Sequence, residues 1–193
     1  MMTSDLSFCL FDTAIGCCGI VWNSRGIAGV ALPEKTEKAM RGRLRRRSPA
    51  AVEAAPPENV QRIVGDIVRL LGGETIDLSH VALDSSDLPE FNRRVYDVAR
   101  AIPVGSTLSY GEIAERLGDR SLAREVAQAL SQNPFPLIVP CHRVLAAGGK
   151  MGGFSGPGGV RTKLRLLSIE GAQAGEPLLF ERLPWAASAR RPA

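Results

Sequence analysis

The chain has 193 residues, 45% of them hydrophobic, and a net charge of +4, which suits one sizeable domain or two small ones sharing an interface. No apolar run is long enough to span a bilayer, and Met1 to Leu6 lack the basic region and apolar stretch of a secretory signal, so a cytoplasmic address without membrane association is expected. In that reducing setting Cys9, Cys17, Cys18 and Cys141 are expected as free thiols, and with no zinc-knuckle spacing and only His80 and His142 to join them, no metal site is expected.

Residues 7–32 read as an antiparallel meander of three strands, with turns at Gly16 and at Asn23 to Gly26. Cys9, Cys17 and Cys18 fall in or beside it and read as small strand residues. Pro33 ends the meander. Residues 34–48 are basic, with Arg41, Arg43, Arg45, Arg46 and Arg47 close together. Such a run either touches phosphates or forms a solvated helix face or mobile loop, and the second reading is favoured because no aromatics are interleaved for base stacking. Pro49, Pro56 and Pro57 mark residues 48–58 as a loop. Val60, Ile63, Val64, Ile67, Val68 and Leu71 recur at helical spacing, closed by Gly72-Gly73. Ile76 to Leu83 is expected as a strand. The first unit, residues 1–87, is therefore an α/β scaffold, an antiparallel sheet with helices and no visible catalytic constellation.

Residues 88–172 have a different grammar. Phe91, Val95, Val98 and Ala99 mark a helix running into Ile102-Pro103. Ser109 and Glu112 are spaced as a capping box at the start of a short helix that stops at Gly118. After a turn at Asp119-Arg120, a second helix covers roughly Ser121 to Ser131. Two short helices around a tight glycine-containing turn read as a helix-turn-helix in a mainly α, winged-helix-like unit. Pro177, Pro184 and Pro192 suggest irregular structure over 173–193.

The stretch Asn133-Pro134-Phe135-Pro136-Leu137-Ile138-Val139-Pro140-Cys141-His142-Arg143-Val144 carries the chemistry. A short apolar run held by prolines delivers a cysteine with a histidine beside it. Cysteine attacks as thiolate, and its ordinary pKa near 8.5 leaves only a few per cent ionised at neutral pH, so a neighbouring base is what such a nucleophile needs. From these two residues alone, a buried strand cysteine beside a satisfied histidine is the favoured reading.

Pro140-Cys141-His142-Arg143-Val144 resembles the active-site signature of the O6-alkylguanine-DNA alkyltransferases (methylated-DNA–protein-cysteine methyltransferases). So do Ile102 to Ala114, before and into the helix-turn-helix, Gly148 to Gly156 as a substrate loop, and Lys163 to Gly171 as a closing helix. The resemblance is nearly continuous from Phe91 to Gly171 and weaker at Asp12 to Gly16. It implies Cys141 as the alkyl acceptor, His142 as its base through a water, and Glu170 as the group that fixes the imidazole. It further implies that Tyr110 moves a phosphate aside and donates to the guanine. Arg124 would fill the space of an extruded base, with Ala123 and Ala127 allowing close approach to the minor groove and Gln128 beside them. Asn133 would tie the turn after the recognition helix, and Pro136, Val144, Ser155 and Gly156 would line the base pocket. Phe154 stands where the family often has tyrosine, keeping the aromatic wall and losing a hydroxyl. Arg143 is expected to bridge the two halves. The implied partner is double-stranded DNA carrying O6-alkylguanine, with O4-alkylthymine left open; the implied protein is a monomer that needs no cofactor and reacts once. Two other readings are an alkyltransferase-like protein that binds lesions without repairing them, and a helix-turn-helix regulator. A cysteine hydrolase is a third, though it would leave the helix-turn-helix unexplained.

Overall fold

A computed structural model describes residues 5–172; the expected irregular tail at 173–193 lies outside them. Three strands, β1 (Ser7–Thr13), β2 (Gly16–Asn23) and β3 (Gly26–Ala31), form the meander, β1 and β2 pairing antiparallel from Ser7↔Trp22 to Thr13↔Gly16. Alternation sorts their side chains to two faces. Phe8, Val21 and Ala31 pack with Met40 and Leu44 of helix α1 (Glu37–Arg47), while Cys18, Ile20, Ile27 and Val30 face the main core. At Gly19 a Cβ would lie 2.8 Å from a Leu44 methyl, so the closeness of α1 to the sheet depends on that glycine.

The basic segment is therefore a helix, capped by Thr36, whose hydroxyl accepts from the Ala39 N–H. Two expectations for the first half fail. The loop at 48–58 contains a two-residue strand, β4 (Val52–Glu53), which joins the sheet parallel to β1 in the order β3-β2-β1-β4. Residues 76–83 are not a strand: they touch the sheet only through a bridge between Ile27 and Leu83. Their β-branched and apolar residues are used for burial, with Leu78 and Val81 in the core, while the backbone is tied by Ile27 N–H to Ala82 O and by the Arg100 guanidinium to the carbonyls of Ser79 and Val81.

Helix α2 (Glu58–Leu71) ends at Gly72-Gly73, where Gly73 adopts φ 97°. Helix α3 (Glu90–Arg100) leads to a short strand β5 (Leu108–Ser109), and then to the helix-turn-helix: α4 (Tyr110–Arg116), a 3-10 turn at Arg120–Leu122 and α5 (Ala123–Ser131). Gly118 at φ 103° turns the chain between them. β6 (Val144–Leu145) pairs with β5 parallel, and α6 (Val160–Ile169) closes the described structure. One apolar cluster takes in Ile20, Ile67, Val95, Ile113, Val139 and Leu166, so it spans residues on both sides of position 87. The backbone bond from Val30 N–H to Pro134 O and the Arg165 guanidinium bonds to Ala14 O and Ile15 O fasten the sheet to the segment around Cys141 and to α6. No helix among the described residues is long and apolar enough to cross a membrane.

The capping box is present in both directions: Ser109 Oγ accepts from Glu112 N–H at 3.1 Å, and Glu112 Oε2 accepts from Ser109 N–H at 2.6 Å. Ser109→Ala removes one of these bonds from an exposed helix start and should lower unfolding free energy by about 1 kcal/mol. Urea titration checks this; an unchanged midpoint would show that the cap contributes nothing to stability.

Candidate active site

Cys141 opens a 3-10 turn, Cys141–Arg143, that sits between the apolar run and β6 rather than in a strand. The run before it is tightly held. Asn133 Nδ2 donates to Val139 O at 2.8 Å while its Oδ1 accepts from Phe135 N–H at 2.9 Å, and Val139 N–H donates to Phe135 O at 2.8 Å. Within this clamp Leu137 is buried at φ 78°, the only non-glycine residue at positive φ among those described. Such a conformation costs on the order of 1–3 kcal/mol and survives only where its surroundings over-determine it.

Behind Cys141 lies a buried polar chain. His142 Nε2 is 2.9 Å from Glu170 Oε1. Arg143 grips the same carboxylate at both oxygens, Nε to Oε2 at 2.8 Å and Nη2 to Oε1 at 2.9 Å, and its Nη1 donates to Ile102 O at 2.6 Å. Burial alone would push the Glu170 carboxyl up, but hydrogen bonds and charge from His142 and Arg143 bring it down to about 2. Arg143 was expected to bridge the halves. Its hydrogen-bond partners, Ile102 and Glu170, both lie in the second half, so it organises the site itself, and the links between halves run through Val30, Arg100 and Arg165.

The front of Cys141 is open. A cavity of about 360 Å³ is lined by Tyr110, Ala127, Leu130, Cys141, Phe154 and Ser155, among others, and is large enough to take a nucleobase. A second cavity of about 90 Å³ also has Cys141 in its wall, and it is here that Asn133, Pro136 and Gly156 are found. Ser155 and Phe154 border both. Gly156 is needed for the Phe154 ring to lie where it does, since a Cβ there would come within 2.5 Å of Phe154 Cε1. Val144 lines neither cavity: its side chain is fully buried. A larger crevice of about 590 Å³ lies behind Ser155 and Gly156 against α1 and does not include Cys141. On α5, Val126, Ala129 and Leu130 face inward, Arg124 and Gln128 are exposed, and Ala123 and Ala127 are partly exposed, so these four candidates lie on the outer side of the helix that borders the larger cavity.

Burial pushes the Cys141 thiol above its ordinary value, opposed by the Asn133 side chain, by the charge of Lys163 and by the backbone N–H groups of Cys141 and His142. Burial likewise lifts Cys9 to about 11 and Cys18 to about 12, and there no cation opposes it. Tyr110 is also raised, first by burial and then by the Cys141 charge, so its hydroxyl remains a proton donor. Lys163 is the residue that sequence reasoning passed over. It is fully buried on α6, donates to Val144 O at 2.5 Å and stands 6.0 Å from the centre of the Tyr110 ring. Burial brings it down to about 8, against the pull of Cys141. The available signal was its place on the apolar face of the closing helix, three and four residues before Leu166 and Leu167. All four cysteines are free, and among the described residues no group of three or more His, Cys, Asp or Glu could hold a metal ion.

Residues 90–172 match the family described as 6-O-methylguanine DNA methyltransferase, DNA binding domain. Over 153 residues the chain is 39% identical to a methylated-DNA–protein-cysteine methyltransferase of Methanothermobacter thermautotrophicus, covering 79% of this chain and 78% of that protein. A DNA base-flipping protein of Thermus thermophilus is 37% identical over 132 residues, 67% of this chain and 87% of that one. Among solved structures, Mycobacterium tuberculosis OGT in complex with DNA is 30% identical with a TM-score of 0.69, covering 88% of this chain and 96% of that one. The likeness thus reaches well beyond the helix-turn-helix half into the sheet, and the chain belongs to the methylated-DNA–protein-cysteine methyltransferase family.

Proposed function

We propose that this methyltransferase repairs double-stranded DNA by extruding an O6-alkylguanine into the cavity of about 360 Å³ and transferring the alkyl group to Cys141. The observation that carries this reading is the position of Cys141, open to that cavity between Tyr110 and Phe154 and backed by the His142–Glu170 pair. A base inside the stack cannot be reached by a side chain, so it must be flipped, at a cost of a few kcal/mol. Helix α5 enters the minor groove on the side of Ala123 and Ala127, Arg124 occupies the vacated place in the stack, and Gln128 lies beside the backbone.

Glu170, held ionised by Arg143, can only accept a hydrogen bond, so His142 carries its proton on Nε2 and leaves Nδ1 as the base. Nδ1 takes the Cys141 proton through an intervening water. The thiolate then attacks the alkyl carbon in line, the S–C bond forms as the C–O6 bond breaks, and the electron pair stays on guanine, which Tyr110 protonates. Asn133, Pro136, Phe154, Ser155 and Gly156 shape the surroundings of the reacting atoms, with Ser155 nearest O6. The thioether is stable and none of the other three thiols belongs to the site, so each molecule, acting as a monomer in the cytoplasm, turns over once. Likeness to a base-flipping protein supports a second reading, in which the lesion is held but not repaired. A thiol with a positioned base has no use in that reading.

Incubation with a duplex labelled on the O6-methyl group should place the label on Cys141, one per molecule. Cys141→Ser should abolish labelling and leave duplex affinity within about twofold, because a hydroxyl is far less ionised than a thiol at neutral pH. Label that survives in this variant would remove Cys141 from the mechanism.

Arg124→Ala should slow repair of the duplex about 10- to 100-fold, the order of the unstacking cost, and leave reaction with free O6-benzylguanine almost unchanged. Tyr110→Phe should slow both. Equal losses on the two substrates in Arg124→Ala would place that residue in the pocket or scaffold.

Lys163 is a buried cation whose charge acts on the thiol. Its replacement by methionine keeps the volume and removes the charge, so the thiol ionises at higher pH. Below that pH, rate follows the thiolate fraction, and transfer to free O6-benzylguanine at pH 7 should fall about tenfold. The deficit should shrink as pH rises past 8, where Lys163 itself loses its proton and the native protein loses the same help. A pH-independent deficit would mean that Lys163 serves only to pack α6.

A further inference from the structure

The smaller cavity beside Cys141 has a feature that methyl transfer does not use. Arg43 and Arg47, one helical turn apart on α1, both line it, and no carboxylate does. The other arginines of the basic run are placed differently. Arg41 is paired with Glu37 and Glu53, and Arg45, Arg46 and Arg47 are all exposed, but of these three only Arg47 reaches the wall of the smaller cavity. Arg43 gives only Nη1 to Glu34, and its Nε is buried without a partner. Arg47 makes no hydrogen bond or ion pair with any described residue, and burial and the charge of Arg43 both weigh on it. Two guanidiniums thus border a small cavity with donors to spare, Arg43 keeping one bond to Glu34 outside it, and the cavity wall itself holds no carboxylate.

The position of the cavity says what it can hold. Cys141, Phe154 and Ser155 form the border between it and the larger cavity, so an adduct carbon at the sulfur, on a base in the larger cavity, has its remaining atoms directed into the smaller one. A volume of about 90 Å³ is roughly the share of three liquid waters, enough for a carboxylate on one or two carbons. A phosphodiester, continued by chain on both sides, fits such a space less well.

We propose, resting on the transfer reading above, that this cavity is an oxyanion pocket in which Arg43 and Arg47 select O6-carboxyalkylguanines over neutral adducts of the same length. The step balances as for methyl. Cys141 Sγ bonds to the methylene carbon, the bond from that carbon to O6 breaks, and the electron pair leaves with guanine, which takes up a proton. The carboxylate is unchanged and remains on the protein as S-carboxymethyl-Cys141, facing the two guanidiniums.

The test uses the full chain and three duplexes, carrying O6-methylguanine, O6-carboxymethylguanine and the neutral isostere O6-carbamoylmethylguanine, each measured under single-turnover conditions. The ratio of carboxymethyl to carbamoylmethyl rates in the native protein, divided by that ratio in Arg47→Gln, removes the different intrinsic reactivities of the two adducts. One charge-assisted hydrogen bond sets the expected quotient at about ten, shrinking with salt. Arg47→Lys should fall between the two proteins, and Arg43→Gln should act in the same direction as Arg47→Gln. A quotient near one overturns the proposal, whether because nothing changes or because all three duplexes slow equally, as they would if Arg47 gripped a DNA phosphate. Failure of the native protein to take up the methyl group would instead defeat the transfer reading, and this inference with it.

Discussion

The buried ion pair between Arg143 and Glu170 is the interaction on which the site depends. It is bidentate, nearly sealed from solvent, and carries a third bond from the guanidinium to Ile102 O. Through it three separate stretches are fixed to one another: the end of α3, the turn that bears Cys141, and the C-terminus of α6. Ion pairs of this kind add little net stability over a well-packed apolar replacement, but removing one partner leaves the other charge buried, at about 3–5 kcal/mol. What the pair provides is definition. By keeping Glu170 ionised it dictates which nitrogen of His142 carries a proton, and so which one is free for the cysteine. In the proposed reaction, a contact outside the reacting atoms thereby selects the tautomer of His142.

A second constraint acts on the backbone. Asn133 closes the turn after α5 and holds Phe135 and Val139, so that Leu137 can be forced into a left-handed conformation and Cys141 presented on a short turn instead of being paired in a sheet. A cysteine in a paired strand would have its neighbours fixed on alternating faces. On this turn the thiol keeps two open sides, one toward the helix-turn-helix and one toward α1. The charges around it pull in opposite directions: burial disfavours the thiolate, while Lys163 favours it. In the proposed reaction this combines a desolvated thiolate, which is reactive when formed, with a cation that favours its formation.

The helices were legible in the sequence because their apolar spacing and end signals agree. The capping box at Ser109 and Glu112, the Gly72-Gly73 stop and the Gly118 turn all appear as read. Residues 76–83 were not legible, because an apolar run shows burial without showing whether its backbone will find a strand partner. β4 was missed for the complementary reason: two exposed residues carry no periodicity, and their pairing with β1 follows from where α1 delivers the chain. At the site, Cys141 and His142 announced themselves by adjacency. Lys163 did not, since a lysine in a helix ordinarily lies on the solvated side, and its burial follows only from the packing of α6 against β6 and Tyr110. The partners of Arg143 were equally hidden, being 41 and 27 residues away in sequence.

The first half of the chain carried no catalytic signature and read as a scaffold, yet it supplies part of the wall around the sulfur. Leu32, Arg43 and Arg47 reach the smaller cavity because α1 is drawn against the sheet over Gly19, and the sheet is in turn bonded to Pro134, just before the strained run. The chain of contacts from Gly19 through Leu44 and Val30 to Pro134 therefore positions guanidiniums beside Cys141, about a hundred residues further on. An arginine-rich helix seen in sequence alone has no address, and its most common fate is a solvated face. The sheet register gives this one an address, and Arg43 and Arg47 line the cavity beside Cys141 while Arg41 is spent on Glu37 and Glu53.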